Sequence, residues 1–395
     1  MAIPARNREI AAQRLSPGEV VELDRPDPAY EERMAEIDGD QDEACCGPAE
    51  DDRLFARCLA SRREFHVDPF GMMTFCSFVK DPALRYDLRR GTVREAWEEF
   101  IPSLADTVCG GAEYCETCGS CEKRADCRWC AVYGRLETGR LSARVPYLCA
   151  VAEETRTFRA EWLEKHRRFF QIAGITVRLE SDLDLGTVTF PPALAAFAVE
   201  GPGDDNVTLR HHFELPDLAG ENLGKEVFRK APWAISRRDG TWFYRGISPE
   251  PSDPELHRVA VFTADHRHAT IYSPPRDLEQ IRTRGWHSLS LFPTDQLWLA
   301  HLLADREAVL LHSANAILAG RGLLFVGHSG AGKSSTVTLL KGRAEILCDD
   351  RSIVRRWPDG WRLYGTWSRG DVPDVSPSSA PLQAILFLEQ STQRL

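Results

Sequence analysis

The sequence predicts a multidomain α/β chain: a cysteine-rich module, then a β-rich lobe, then an α/β unit. Three observations predict it. Eleven of the twelve cysteines lie between Cys45 and Cys149. After residue 170, short apolar runs alternate with turn residues. Near the end, the glycine-rich segment Gly327–Ser334 separates an apolar run from a helical one. At 395 residues the chain is long enough for two or three cores of ordinary size.

Charge and termini narrow the partners. A net charge of −10 with 27% charged residues and no long basic run argues against a sequence-independent grip on nucleic-acid phosphates, so no nucleic acid is expected. The first residues carry Arg6, Arg8 and Arg14 but no apolar core of a signal peptide. No stretch approaches the ~20 apolar residues of a membrane span, so no membrane partner is expected and the cytoplasm is the default compartment. Cysteines there are read as reduced thiolates available for metal rather than as disulfides.

Taken in order, residues 1–57 are acidic and rich in Pro, Asp and Glu, which predicts a loosely ordered lead-in with one helical stretch at Glu31–Ile37. Residues 58–165 form the cysteine module. Its apolar periods are few, with Val93, Trp97 and Phe100 on one face of a helix over Thr92–Phe100, so metal is expected to help hold its core. Ala150–Phe170 reads as a helix between two units, with a boundary near 170.

Residues 170–290 read as the β-rich lobe, with strands at Ile175–Leu179, Val259–Thr263 and Thr270–Tyr272 and a turn at Asp239-Gly240. His211-His212 are read as starting a strand, and His266 and His268 as flanking a hairpin tip. All four are taken as solvated rather than as metal ligands. Trp233, Trp242, Trp286 and Trp298 recur at no fixed interval and are assigned to core packing. Residues 291–395 form the α/β unit. Thr294-Asp295 would cap a helix carrying Leu297, Trp298, Leu302 and Leu303, followed by strands Val309–His312 and Leu323–Val326, a helix from Lys333, and a strand Glu345–Leu347.

Gly327–Ser334 has the parts of a phosphate-binding loop. Gly327, Ser329, Gly330, Ala331 and Gly332 let the backbone turn its N–H groups around an anion. Lys333 can reach outer phosphates, and Ser334, followed by Ser335, offers a hydroxyl for magnesium at the helix start. The strand Glu345–Leu347 then delivers Asp349 and Asp350 at its C-terminal end, where open α/β sheets place ligand groups. One carboxylate can orient magnesium while the other takes a proton from an attacking hydroxyl.

His312, the segment Ser313–Gly320, the apolar strand, Gly327–Ser334 and Cys348-Asp349-Asp350-Arg351 together resemble the catalytic domain of HPr kinase/phosphorylase and its small relatives in peptide-modification gene clusters. The resemblance implies ATP on the loop, with Lys333 and Ser334 on phosphate and Mg2+. It also implies Asp349 and Asp350 as the acid pair and His312 as an accessory near the transferred phosphate. It covers roughly residues 290–395, with a vaguer likeness back to about 170. The sequence stops at Leu395, just after the strand Leu382–Leu388, whereas the family's domain continues with helices and a second signature region, so either a shortened relative or a fragment of the kinase-like unit is expected.

Cys58, Cys76, Cys115, Cys118, Cys121, Cys127, Cys130 and Cys149 include two-residue gaps that let neighbouring thiolates bind one centre. Seven or eight cysteines suit two iron–sulfur clusters, and paired Cys-x-x-Cys units equally build zinc sites. The pattern resembles the SPASM domain, the auxiliary-cluster domain at the C-terminus of many radical SAM enzymes that modify ribosomally made peptides. The segments His66–Gly71 and Leu136–Gly139 add to the likeness. The resemblance implies two 4Fe-4S clusters, one on Cys118, Cys121, Cys127 and Cys149. The other would sit on Cys58, Cys76 and Cys130, with Cys109 or Cys115 as the fourth ligand. Two residues precede Cys130 where the usual family pattern has three. The Cys-x-x-x-Cys-x-x-Cys triplet of a radical SAM core is absent, so the chain is not expected to cleave S-adenosylmethionine itself.

These features lead to two expectations. One is an ATP-dependent phosphoryl transfer to a peptide or protein hydroxyl in the maturation of a ribosomally made peptide. The other is a non-catalytic nucleotide-binding adaptor that docks a separate radical SAM enzyme or its precursor peptide.

Overall fold

The computed structural model describes residues 9, 11–28, 51–60, 64–218, 221–248, 256–291 and 295–390. The helical stretch expected at Glu31–Ile37, Cys45, Cys46 and the capping residue Thr294 lie outside them. Helices and sheets are mixed along the chain, and it divides into two compact units, Met1–Leu163 and Glu164–Leu395. Among the described residues no helix is long and apolar enough to cross a membrane.

In the first unit, short helices surround a three-stranded antiparallel sheet of His66–Val67, Met72–Thr74 and Tyr86–Asp87. Thr92 starts a helical run through a reciprocal cap with Glu95, satisfying donors that a helix start would otherwise leave open. The single apolar face expected for Thr92–Phe100 is not formed. A π-helical turn at Ala96–Phe100 shifts the phase, so Val93 is exposed while Ala96, Ile101 and Leu104 are buried. The module also has an apolar core of its own, with Phe55, Leu59, Met73, Ile101, Tyr114 and Trp129 at its centre.

The helix expected over Ala150–Phe170 runs instead from Pro146 to His166, and Arg167–Ile172 is a strand. Phe169 and Phe170 pair there with Arg178 and Val177, because burying the aromatic ring of Phe170 in a sheet outweighs weak helical periodicity. That strand belongs to a nine-stranded mixed sheet. The parallel neighbours Ile175–Ser181, Asn206–His212 and His268–Tyr272 lie in its middle, and the antiparallel run Leu256–Phe262, Thr241–Ile247, Trp233–Arg238 and Lys225–Lys230 completes one side. Asp239 and Gly240 take positive φ at the hairpin between Trp233–Arg238 and Thr241–Ile247, the conformation a two-residue turn needs.

Two histidine expectations are corrected here. His211 and His212 end their strand, and His211 is fully buried with its ring bonded to the Leu289 carbonyl. His266 is buried too, bonded to Tyr244 at 3.0 Å and stacked on His301 at 4.6 Å.

The last strands form a second sheet. Ala308–Leu318 pairs along one edge with Arg351–Trp357 and then Glu345–Cys348, and along the other with Arg321–Val326. Ser379–Phe387 lies parallel to Arg321–Val326 and joins Gly360–Tyr364, which returns to Arg351–Trp357, so the pairings close into a ring. Residues 170–290 and 291–395 are not separate cores. Phe170 and Ile271 pack in the same cluster as Leu299 and Ile353.

Glu180 is the charged centre of the nine-stranded sheet. It is 1% exposed, with Arg167, Arg210 and Arg178 at 2.6, 2.7 and 3.4 Å. Burial alone would raise its pKa, but the charges of Arg178, Arg210 and Arg167 together outweigh burial and hold the carboxyl below its ordinary value. Replacing it (Glu180→Gln) leaves three arginines without their shared anion, and we predict a loss of about 3 kcal/mol in urea unfolding at pH 7. Because the folded pKa is depressed, the difference persists above the unfolded value near 4.5 and closes as pH falls through the lower folded value.

Candidate functional site

The glycine loop Gly327–Gly332 is built on the strand Arg321–Val326, whose ladder extends to its foot through Leu388 N–H donating to the Val326 carbonyl at 2.7 Å. Gly327 must lack a side chain, since a Cβ there would lie 2.7 Å from the Ala331 Cβ. Gly330 and Gly332 have φ of +81° and +99°, in the left-handed region where glycine carries no steric penalty. The helix Lys333–Leu340 begins on Gly332 with no side-chain cap. Its first-turn N–H groups, unlike those of a Ser- or Asp-capped helix, meet no competing side-chain acceptor at the cap and suit an anion. Ser329 and Gly330 are exposed, and the Gln390 amide donates to the Gly330 carbonyl at 2.6 Å.

Lys333 is 7% exposed and folds back over its own loop, donating to the carbonyls of Gly327 and His328 at 2.9 and 3.1 Å. These are the groups from which a bound phosphate would draw it. Ser334 and Ser335 follow on the first turn, Ser335 in solvent.

The two aspartates differ sharply. Asp349 is 3% exposed, and its two oxygens accept the N–H groups of Gly370 at 2.6 Å and Val372 at 2.8 Å. It pins the segment after Thr366 against the strand Glu345–Cys348. Asp350 turns the other way, accepting from the Ser368 hydroxyl at 2.7 Å and from Arg351 at 2.8 Å, with the His312 imidazole at 3.4 Å. His312 sits there because the antiparallel register sets it across from Arg351, and Ser313 N–H holds the Asp350 carbonyl at 3.1 Å.

Arg351 also meets the His312 ring. With its amide turned to accept, Gln296 takes the remaining Arg351 N–H groups at 2.7 and 3.1 Å. A cleft of about 120 Å³ lies beside them, lined by Gln296, Arg351, Thr366, Trp367 and Ser368. Partial burial lowers the His312 pKa, the charges of Lys333 and Arg351 lower it further, and Asp350 opposes them. Lys333, His312 and Asp350 therefore share one electrostatic neighbourhood. Sequence offered no role for Arg351 or Ser368; adjacency to the aspartate pair is the only signal for Arg351, and Ser368 carries none.

In the first unit the thiols gather around two cavities. Cys118, Cys121, Cys127 and Cys149 line one of about 390 Å³, together with Trp129 and Arg144. Cys118 comes from the π-helical turn Cys115–Gly119, Cys127 follows the short turn Arg124–Asp126, and Cys149 lies in the first turn of Pro146–His166. Cys58, Cys76 and Cys130 line a second cavity of about 750 Å³, with Cys127 on its wall as well.

Cys115 packs against the apolar core, and exposed Cys109 lies near Asp52; neither borders these cavities. Burial pushes the Cys118 thiol up to about 11, and the nearby Cys149, Cys127 and Cys121 add to the rise. Among the described residues no three His, Cys, Asp or Glu side chains are drawn together to the spacing of a single bound ion. Four thiols around one cavity are a donor set suited to a thiolate-bound metal centre, and the volume admits one of several atoms.

No protein-family model matches the chain, and no curated protein matches it.

The electrostatics of His312 can be tested residue by residue. Lys333→Met should raise the imidazole pKa towards its ordinary 6.5, and Asp350→Asn should lower it further, both read by NMR titration of the ring. Identical titration curves in both variants would mean that the three groups do not sense one another.

Proposed function

We propose that the second unit binds ATP with Mg2+ and transfers the γ-phosphoryl group to a hydroxyl, and that the first unit carries iron–sulfur clusters in a SPASM-like module. The acceptor class we favour is a serine- or threonine-bearing peptide or protein in the maturation of a ribosomally made peptide. The observation that carries the kinase reading is that His312 lies 3.4 Å from Asp350 and also senses the charge of Lys333, the first residue of the helix that the glycine loop opens.

In this reading the loop N–H groups and Lys333 hold the phosphates, and Ser334 would hold the magnesium ion, which supplies charge neutralisation. Asp350 is the base. The acceptor oxygen bonds to the γ-phosphorus, the bond to the β–γ bridging oxygen breaks, ADP leaves, and the acceptor proton passes to Asp350. His312, whose pKa is lowered by partial burial and by its cationic neighbours, donates a hydrogen bond to the transferred group instead of competing for the proton. Asp349, with both oxygens committed to backbone N–H groups, keeps the adjoining wall of the site in place.

That same commitment of Asp349 favours a second reading. With one carboxylate available where two were expected, the unit could hold nucleotide as a structural or switching ligand, while the cluster module docks a separate radical SAM enzyme or its precursor peptide. The module's clusters would supply electron relay when bound. Cys118, Cys121, Cys127 and Cys149 would hold one, and Cys58, Cys76 and Cys130 would contribute to the other.

Two experiments separate these readings. Phosphate release from Mg-ATP, with water standing in for the acceptor, should fall roughly 10²- to 10⁴-fold in Asp350→Asn while nucleotide binding is retained. Undiminished turnover removes Asp350 from the chemistry, and no turnover in the wild type favours the adaptor. Anaerobically purified protein should contain about eight iron and eight sulfide per chain, falling to about four of each in Cys149→Ser. Zinc without sulfide would remove the electron-transfer role.

A further inference from the structure

The four-cysteine cavity is lined by three cations, Lys123, Arg124 and Arg144. Lys123 meets Glu153, and Arg124 donates to the Gly119 carbonyl at 2.8 Å. Arg144 is different. Among the described residues no carboxylate pairs with it, and its Nε–H donates to Cys149 Sγ at 3.1 Å. Its charge is also felt by Cys118 and Cys121. A guanidinium that donates to one of these thiols and lies near two more suits an anion held where the thiols converge.

We propose that Arg144 is the counter-charge of an anionic iron–sulfur centre held by Cys118, Cys121, Cys127 and Cys149, and that its N–H donated to Cys149 raises that centre's reduction potential. This rests on the iron–sulfur reading of the same thiols. Four thiolates give such a centre a net negative charge, and one electron from a reductant adds another. A nearby cation and a hydrogen bond to a ligand sulfur stabilise the reduced form more than the oxidised form, so the potential rises. Arg144 lies on the solvent side, so its influence is screened as ionic strength increases. The other centre has no such contact with Arg144 and serves as an internal reference.

The test uses the whole chain, purified anaerobically, as wild type, Arg144→Gln and Arg144→Lys. Each is titrated with dithionite, with the reduced centres followed by electron paramagnetic resonance and iron and sulfide measured alongside. One of the two centres should shift to lower potential in Arg144→Gln and by less in Arg144→Lys, which keeps the charge but loses the Nε–H. The shift should shrink between about 50 mM and 500 mM salt, where the screening length falls from roughly 14 to 4 Å. Full iron and sulfide with unmoved potentials in both variants would overturn the role of Arg144 and leave the cluster reading standing. If Arg144→Gln fails to load one centre, Arg144→Lys decides the matter, since an unmoved potential there at both salt concentrations is equally contradictory. Absence of iron and sulfide from the wild type would overturn the cluster reading and this inference with it.

Discussion

The candidate site depends on the backbone ladder of one strand, Ala308–Leu318. Its first half is bonded to Arg351–Trp357, which brings His312 opposite Arg351 and beside Asp350. Its second half is bonded on one edge to Arg321–Val326, the root of the phosphate loop, and on the other to Glu345–Cys348, the root of the aspartate pair. A slip of one residue would turn His312 to the opposite face, because side chains alternate along a strand. The register is held at its centre by Asn315, which is fully buried. Its amide donates to the Tyr364 carbonyl at 2.9 Å, and its oxygen accepts from the Cys348 thiol at 3.2 Å.

What could be read from sequence follows from how local each feature is. The loop is local: positive φ at Gly330 and Gly332, the exclusion of a Cβ at Gly327 and the helix after Lys333 all act within eight residues, so spacing alone exposes them. The pairing of Asp349 with Gly370 and Val372 is not local, and neither is that of Asp350 with Ser368. Both depend on the chain returning after the strand Gly360–Tyr364. Two adjacent aspartates thus look equivalent in sequence and are not equivalent in the fold. The same reasoning covers the histidines, since burial of His266 against Tyr244 and His301 is a tertiary fact that a turn-like sequence conceals.

In the cysteine module the short gaps between thiols were legible, because a Cys-x-x-Cys spacing restricts where two sulfurs can lie. That Cys130 accompanies Cys58 and Cys76 came from the family resemblance and not from spacing, since a helix, a small sheet and the π-helical turn at Cys115–Gly119 separate them. The resemblance's fourth ligand, Cys109 or Cys115, borders neither cavity. Helical phase fails for the same reason in the run after Thr92, where the extra residue of a π turn rotates every later side chain. Arg144 is invisible to motif reading, because arginines on this chain are common and only its donation to Cys149 Sγ in the fold sets it apart.

The central claim is that Gly327–Ser334 and its neighbours form a working nucleotide site, and its most direct test is calorimetric titration of the whole chain with Mg-ATP, wild type against Lys333→Ala. The account predicts saturable binding at one site per chain, weakened at least about tenfold in Lys333→Ala, the equivalent of losing one charge-assisted contact of ~1.4 kcal/mol. Absence of binding in the wild type, or equal affinity in the two proteins, would contradict it.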